Sequence, residues 1–260
     1  MPEGDTVWLT AHRLDQALRD QRVTVFDLRV PKLALADLRG ATVREVAARG
    51  KHILMRFDTD QTLHSHLKMD GSWRVRPAAQ AVRPAFDVRA VVGTSRHVCL
   101  GRRVHDLALA PTAAESQWVG HLGPDLLGPD WDADEAVRRL AAQPERALVE
   151  ALLDQRNLAG IGNLYANELC FLAGTHPQAQ VAAVADLPRL VGRAKALLEA
   201  NKERVEQATT GDLHRGAQNW VYRRERKTCL RCRTRIEVAM AGEAGRERAT
   251  YWCPRCQPLS

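Results

Sequence analysis

The spacing of hydrophobic and polar positions changes three times along this 260-residue chain. Residues 5–20 (DTVWLTAHRLDQALRD) place Val7, Leu9, Ala11, Leu14, Ala17 and Leu18 close to a helical period. That spacing predicts an amphipathic helix, with Thr6 as its N-cap. From about residue 22 to 110 the pattern shortens to β-like runs, among them VTVFDLRV, ATVREVAARG, KHILMRFD, TLHSHLKM, SWRVRP, FDVRAVV and RHVCLG. TD, DG and VGT turns punctuate them, and many short strands at regular intervals predict a sandwich or barrel. The glycine- and proline-rich HLGPDLLGPDWDAD (121–134) reads as a linker. Helical periodicity follows in ADEAVRRLAAQ, ERALVEALLDQ, NLYANELCFLAG and PRLVGRAKALLEANKERVEQ, and residues 217–260 return to short strands around cysteines. The expected fold class is α+β and multi-domain. An N-terminal β-sandwich domain with an N-terminal helix spans 1–120, a linker 121–134, a helical domain 135–216 and a cysteine hairpin 217–260. No internal repeat or low-complexity segment interrupts this order.

Composition narrows the picture without naming a function. With 45% hydrophobic residues the chain can bury a core, which excludes global disorder. A formal net charge of +7 favours a polyanionic partner. No run of 18 or more apolar residues is present, so no membrane span is expected, and MPEGDTV is not followed by the apolar stretch of a signal peptide.

Four of the six cysteines form two CxxC pairs, Cys229/Cys232 and Cys253/Cys256, with residues 233–252 between them. Each pair supplies two ligands from one tight turn, which suits a tetrahedral four-thiolate Zn2+ ion. Four cysteines leave no open position for water, so the expected zinc is structural. TRIEVAM and RERATYWC between the pairs read as the two strands of a hairpin. Arg231, Arg233, Arg235, Arg246, Arg248 and Arg255 make this block basic. Their spacing fits a solvated surface as well as phosphate contacts. Cys99 and Cys170 stand alone in apolar surroundings.

Three other stretches carry candidate chemistry. Removal of Met1 leaves Pro2 as a terminal secondary amine with the Glu3 carboxylate beside it. In LVEALLDQRNLAGIGNLYANELCFLA (148–173) two apolar helices flank a turn with Gly160 and Gly162, and Asn163 falls at the N-cap of the second. A glycine turn feeding a helix N-terminus suits an anion, although an ordinary helical hairpin has the same pattern. Asp70-Gly71 is a hairpin-turn dipeptide that places Met69 at the tip of a two-stranded ribbon. On the strand before it, Leu63, Ser65, Leu67 and Met69 share one face, and His64, His66 and Lys68 the other. His64 and His66 have no apparent third ligand, so no metal is assigned there.

Taken together, these residues resemble the formamidopyrimidine-DNA glycosylase / endonuclease VIII family over nearly the full length of the chain. The resemblance is carried by Pro2-Glu3-Gly4, Arg49-Gly50-Lys51, His66-Leu67-Lys68-Met69-Asp70-Gly71, Leu153-Asp154, Gly160-Ile161-Gly162-Asn163, Arg248-Ala249-Thr250-Tyr251-Trp252-Cys253 and the four cysteines. MPEG, ALLDQ and the short segment 209–219 are more similar to the endonuclease VIII branch. Asp5, Lys68-Met69-Asp70 and Val104 depart from the family pattern. The resemblance implies a helix–two-turn–helix in the 135–216 domain and a zinc finger at 217–260. It implies a bifunctional DNA glycosylase and AP lyase of base-excision repair, acting on oxidised bases, pyrimidines favoured, with Pro2 as nucleophile. Glu3 is the expected general acid–base and Lys51 the cation beside the flanking phosphate. Met69 is the expected wedge, Arg103 the residue reaching the opposite base, and Asn163 and Arg248 the phosphate contacts. The implied partner is damaged DNA, bound by a monomer in the bacterial cytoplasm and nucleoid. Oxidised purines such as 8-oxoguanine are the alternative substrates. A non-catalytic zinc-bearing DNA-binding protein is the alternative class, and an N-terminal-proline tautomerase a third reading.

Overall fold

The protein is described by a computed structural model covering residues 2–80, 85–242, 245 and 247–259; Arg246 lies outside the described residues. It divides into two compact units, Met1–His121 and Leu122–Ser260.

The first unit opens with α1 (Gly4–Leu18), whose buried Val7, Ala11, Leu14 and Leu18 form one stripe. The helix starts two residues before the expected Thr6 cap. Glu3 is the N-cap, in extended conformation, and its carbonyl accepts from the Val7 N–H at 2.9 Å. Eight strands follow: β1 (Val25–Leu28), β2 (Val43–Arg49), β3 (His52–Phe57), β4 (Gln61–His66), β5 (Ser72–Pro77), β6 (Val88–Gly93), β7 (His97–Arg102) and β8 (Asp106–Pro111). They form two antiparallel four-stranded sheets, ordered β1-β6-β7-β5 and β2-β3-β4-β8. Leu14, Val43, Ile53, Met55, Leu63, Leu67, Trp73, Ala90, Val92 and Cys99 from α1 and both sheets meet in one core, the sandwich expected from the pattern. Burial raises the Cys99 thiol to about 12, so it behaves as a small apolar side chain.

One junction differs from the expectation. β4 and β5, on either side of Met69, belong to different sheets. The DG segment therefore crosses from one layer to the other and is not the tip of a two-stranded ribbon. The reason lies in Leu67 and Trp73, which are both buried while Lys68, Met69 and Asp70 between them are exposed. Lys68 takes a left-handed φ of 52°, which ends the alternation before Met69. Gly71 donates to the Leu67 carbonyl at 2.9 Å, and a Cβ on Gly71 would lie 2.5 Å from that oxygen.

The outer face of the second sheet is covered by residues 112–121, which include the short helix α2 (Ser116–Val119). The Trp118 ring stacks on His64 at 4.7 Å. Glu115 accepts from Arg56 at 2.7 Å and from the Thr62 hydroxyl at 2.6 Å. That cover explains why β4 carries buried polar residues on its second face.

The second unit holds α3 (Ala133–Ala141), α4 (Leu148–Leu153), α5 (Asn163–Ala173) and α6 (Leu187–Asn201), then the hairpin of β9 (Glu237–Ala241) and β10 (Arg248–Trp252). Asp132 and Asp186 cap α3 and α6 by accepting from the N–H groups of Glu135 and Arg189, both at 2.9 Å. α5 is buried on nearly all sides. Its Leu169, Cys170 and Phe171 share a core with Leu148 and Leu152 of α4, Leu198 of α6, and Val221, Ile236, Tyr251 and Cys253 of the C-terminal block. The hairpin is thus built into the helical core and does not hang from it as an appendage.

Candidate active site

The β2–β3 hairpin closes Arg49 against His52 with Gly50 and Lys51 as its two central residues. Gly50 has φ of 56°, and Lys51 is not among the positive-φ residues. Positive φ at the first central position alone is the pattern of a II′ turn, which selects glycine there and fixes Lys51 immediately before β3. Pro2 is half-buried, and Glu3 has no exposed surface. A carboxylate at the third residue of a chain is ordinarily solvated; burial of this one requires partners and marks it as built into the fold.

His66, at the end of β4, lies in the field of both Lys51 and Lys68, and Lys68 forms an ion pair with Asp106 at 3.0 Å. The antiparallel register puts His52 opposite His66. His52 Nδ1 lies 2.8 Å from His64 Nε2, and the His121 ring is 6.3 Å from that of His52. His64 and His66 therefore do have histidine neighbours, which local sequence spacing did not reveal. The signal was present in the TD turn at 59–60, which sets the β3–β4 register. Desolvation lowers His52 to about 3 and His64 and His66 to about 4, so the row is neutral at physiological pH.

Met69 is 64% exposed. Arg103 follows β7 with a left-handed φ of 51°, and Ser72 pairs with Arg102 across β5 and β7. A cavity of about 190 Å³ is lined by Asp70, Ser72, Arg74, Asp87, Arg102 and Arg103. The segment after Met69 and the arginine turn are thereby brought to one end of one sheet. Val104 has no exposed surface.

In the second unit, Gly162 is the cap position of α5 and Asn163 the first helical residue, so the helix starts one residue earlier than expected. Asn163 is buried, and its Nδ2 donates to the Ala249 carbonyl at 2.8 Å. Asn167 was missed in the sequence. Its Nδ2 donates to the Asn163 carbonyl at 2.6 Å, and its Oδ1 accepts from the Tyr251 N–H at 2.6 Å. The two asparagines, one helical turn apart, thus tie α5 to β10, the strand that starts with exposed Arg248. The i, i+4 spacing in NLYAN was the only available clue. Glu168, also missed, has no exposed surface and accepts from the N–H groups of Trp220, Val221 and Tyr222, all at 2.8 Å, and from the Thr209 hydroxyl. It anchors the chain entering the cysteine block.

Arg248 lines a groove of about 380 Å³ with Arg146, Asp154 and Arg156. Asp154 holds Arg146 at 2.8 Å and Arg156 at 2.7 Å, and these guanidinium groups, Arg156 first, keep its carboxyl far below the usual range. The Cys229, Cys232, Cys253 and Cys256 sulfurs all lie within 4.8 Å of one another, with Cys232 and Cys253 Sγ 3.3 Å apart. A tetrahedral zinc with Zn–S of about 2.3 Å needs S···S separations of about 3.8 Å, so the four thiols fit a metal ion. Among the described residues this is the one group of three or more His, Cys, Asp or Glu ligand atoms so gathered.

A sandwich that buries its N-terminal carboxylate, followed by a helical hairpin joined to a four-cysteine hairpin, defines a family that comparison identifies. Residues 1–113 match the formamidopyrimidine-DNA glycosylase N-terminal domain and residues 122–211 its H2TH domain. The chain belongs to the formamidopyrimidine-DNA glycosylase / endonuclease VIII family. It is 52% identical to the probable endonuclease 8 2 of Streptomyces coelicolor, over 99% of this chain and 94% of the relative. It is 45% identical to the DNA-(apurinic or apyrimidinic site) lyase Nei2 of Mycolicibacterium smegmatis, over the whole of both chains. Among solved structures, the Lactococcus lactis formamidopyrimidine-DNA glycosylase bound to DNA with an abasic site shares the fold, with a TM-score of 0.80 at 22% identity over 99% of this chain and 100% of that one.

Proposed function

We propose that the protein is a bifunctional DNA glycosylase and AP lyase that removes oxidised bases, pyrimidines favoured, and then cleaves the strand by successive β- and δ-elimination. The observation that carries the reading is Glu3: a fully buried carboxylate one residue after a proline that becomes the terminal imino acid, in a chain of this family.

A terminal α-amine has an ordinary pKa of about 7.7–8.0, so much of it is neutral near pH 7, whereas a lysine at about 10.4 is not. The neutral Pro2 nitrogen attacks C1′ of the damaged nucleotide while the C1′–base bond breaks, and the base leaves with its bonding electrons and takes up the proton released from the Pro2 N–H. Glu3, as general acid, protonates the ring oxygen, and the sugar opens to an iminium ion. Because the nitrogen is secondary it has no further proton to shed, so the positive charge persists and acidifies the 2′ hydrogen. Loss of that proton expels the 3′ phosphate, and a second elimination releases the 5′ phosphate. Water then frees Pro2. Lys51, held by its turn, supplies a fixed cation to the flanking phosphate. Met69 fills the gap left by the extruded nucleotide and Arg103 reaches the opposite base, the base leaving the stack at a cost of a few kcal/mol. Arg248 contacts a phosphate, and Asn163 supports a second contact from the α5 start.

The metal is structural zinc held by Cys229, Cys232, Cys253 and Cys256; as a four-thiolate ion it supplies cross-linking and no reaction chemistry. The protein acts as a monomer on damaged DNA in the cytoplasm. No described helix is long and apolar enough to cross a membrane.

Borohydride reduction of the enzyme on an abasic oligonucleotide tests the chemistry. The expected product is a covalent adduct whose peptide map places the DNA on Pro2, from protein whose N-terminal mass shows Met1 removed. An absence of adduct with a processed terminus refutes it. Release of 8-oxoguanine with 5-hydroxyuracil left untouched would reassign the substrate to oxidised purines.

A further inference from the structure

Val104, the residue after the arginine pair, is completely buried and has no reach to a base stack. Phe86 is 88% exposed, whereas Phe26, Phe57 and Phe171 are buried. Leaving one aromatic ring in water is unfavourable unless a partner covers it.

The turn that carries Phe86 is firmly held. The Val88 N–H donates to the Ala85 carbonyl at 3.1 Å, and Arg29 Nη1 donates to the same carbonyl at 3.1 Å. Arg89 Nη1 donates to the Phe86 carbonyl at 2.8 Å. Asp87 is buried, and its carboxylate takes Arg102 Nη2 at 2.8 Å and lies 3.6 Å from Arg103 Nε. Its carbonyl accepts from the Arg103 N–H at 2.8 Å, which holds Arg103 in its left-handed conformation. The Phe86 turn and the Arg102–Arg103 turn are therefore one connected piece. Through the Ser72–Arg102 pair it stands at the sheet end where the Met69 crossing arrives.

An exposed ring on a turn whose backbone and Asp87 bind Arg29, Arg89, Arg102 and Arg103 suits a ligand that combines a flat π face with nearby negative charge. A nucleotide in a polyanionic strand has both. We propose that Phe86 is a base-stacking residue of this protein, supporting the nucleobase left unpaired when the damaged nucleotide is extruded, and that Asp87 is the positioning residue that sets Arg103 beside it. The proposal rests on the glycosylase reading above. It assigns to an exposed ring on another turn a role that Val104 is too buried to fill.

The test uses the full-length zinc-loaded enzyme with Phe86→Ala, Phe86→Trp and Asp87→Asn. Single-turnover base release is measured on a duplex carrying an oxidised pyrimidine and on the same strand alone, with 2-aminopurine opposite the lesion as a stacking probe. For Phe86→Ala the duplex-to-single-strand rate ratio is expected to fall about ten-fold. The 2-aminopurine signal should rise and the Tm stay unchanged. Phe86→Trp should recover the ratio, and Asp87→Asn should lower it without recovery by either residue at 86. A wild-type ratio in Phe86→Ala, or a Phe86→Trp enzyme as poor as Phe86→Ala, overturns the proposal. A wild-type enzyme with a processed terminus and no borohydride adduct overturns the glycosylase reading beneath it, which is a separate readout.

Discussion

The two units use buried polar groups in opposite ways. In the second, Asn163, Asn167 and Glu168 sit inside one helix and bond to backbone groups of β10 and of residues 220–222. Hydrogen-bonded in this way, they specify how helix and cysteine hairpin join. In the first unit, Lys68, Arg103 and Gly50 have left-handed backbone at turns, and the row of histidines lies under a thin cover in which His64 Nδ1 has no hydrogen-bond partner. One region uses polarity to fix its architecture; the other holds titratable and cationic groups at the ends of its sheets, in conformations that the surrounding structure must impose. The first unit thus gathers titratable side chains at its sheet ends, and the second gives a hydrogen-bonded frame to its cations.

The comparison can be broken at several points. The largest effect is expected from metal removal. Structural zinc contributes about 10–16 kcal/mol in isolated finger peptides, so chelation or Cys253→Ser should abolish protection of residues 229–256 in amide exchange while the β-sandwich stays protected. Loss of protection in both units would show that the frame is not confined to the second. Next, Glu3→Gln should reduce single-turnover base release by about 10²–10⁴-fold with little change in Tm, the range for a general acid–base. A variant that only lowers Tm would make Glu3 architectural, like Glu168.

Acid should separate the units. Unfolded histidines bind protons near pH 6.5, but His52, His64 and His66 decline them until about 3 to 4. With folded values depressed, the contribution to stability is present above pH 6.5 and is lost as pH falls from there toward 4. The sandwich should weaken over that window by several kcal/mol, reported by fluorescence of Trp118 on His64, and His64→Phe should flatten the profile. Asp154 in the second unit, with its carboxyl depressed by Arg156 and Arg146, loses its contribution only below the ordinary aspartate pKa of about 3.9. Asn167→Ala should cost about 1–3 kcal/mol in chemical denaturation, since it strands the Tyr251 N–H and the Asn163 carbonyl. The smallest effect is expected from Arg248→Ala, which should flatten the plot of log affinity for DNA against log salt by about one unit and leave Tm untouched.

Much of the site was legible from spacing because its groups are local. Two CxxC pairs, a proline followed by glutamate, and a glycine before Lys51 are each visible within a few residues, although the roles of Pro2, Glu3 and Lys51 were implied only by the family resemblance. The strands and helices were legible for the same reason, since period 2 and period 3.6 are local properties. What escaped were the relations between distant segments. Asn163 looked like a cap and proved to be a tie to Ala249, because a cap is defined by its neighbours in sequence and a tie by a strand 86 residues away. DG looked like a hairpin tip and proved to be a crossing, because strand pairing is decided by which sheet buries Leu67 and which buries Trp73.

The amino-acid sequence by itself determined the β, helical and cysteine-rich blocks, the four thiols and the Pro2-Glu3 pair near the start, since each follows from residue types at short range. Tertiary structure alone decided that Glu3 is buried, that His64, His66 and His121 gather around His52, and that Phe86 rather than Val104 faces solvent. Burial and long-range register are properties of the packed chain: they depend on which surfaces exclude water together, and no window of neighbouring residues contains that information.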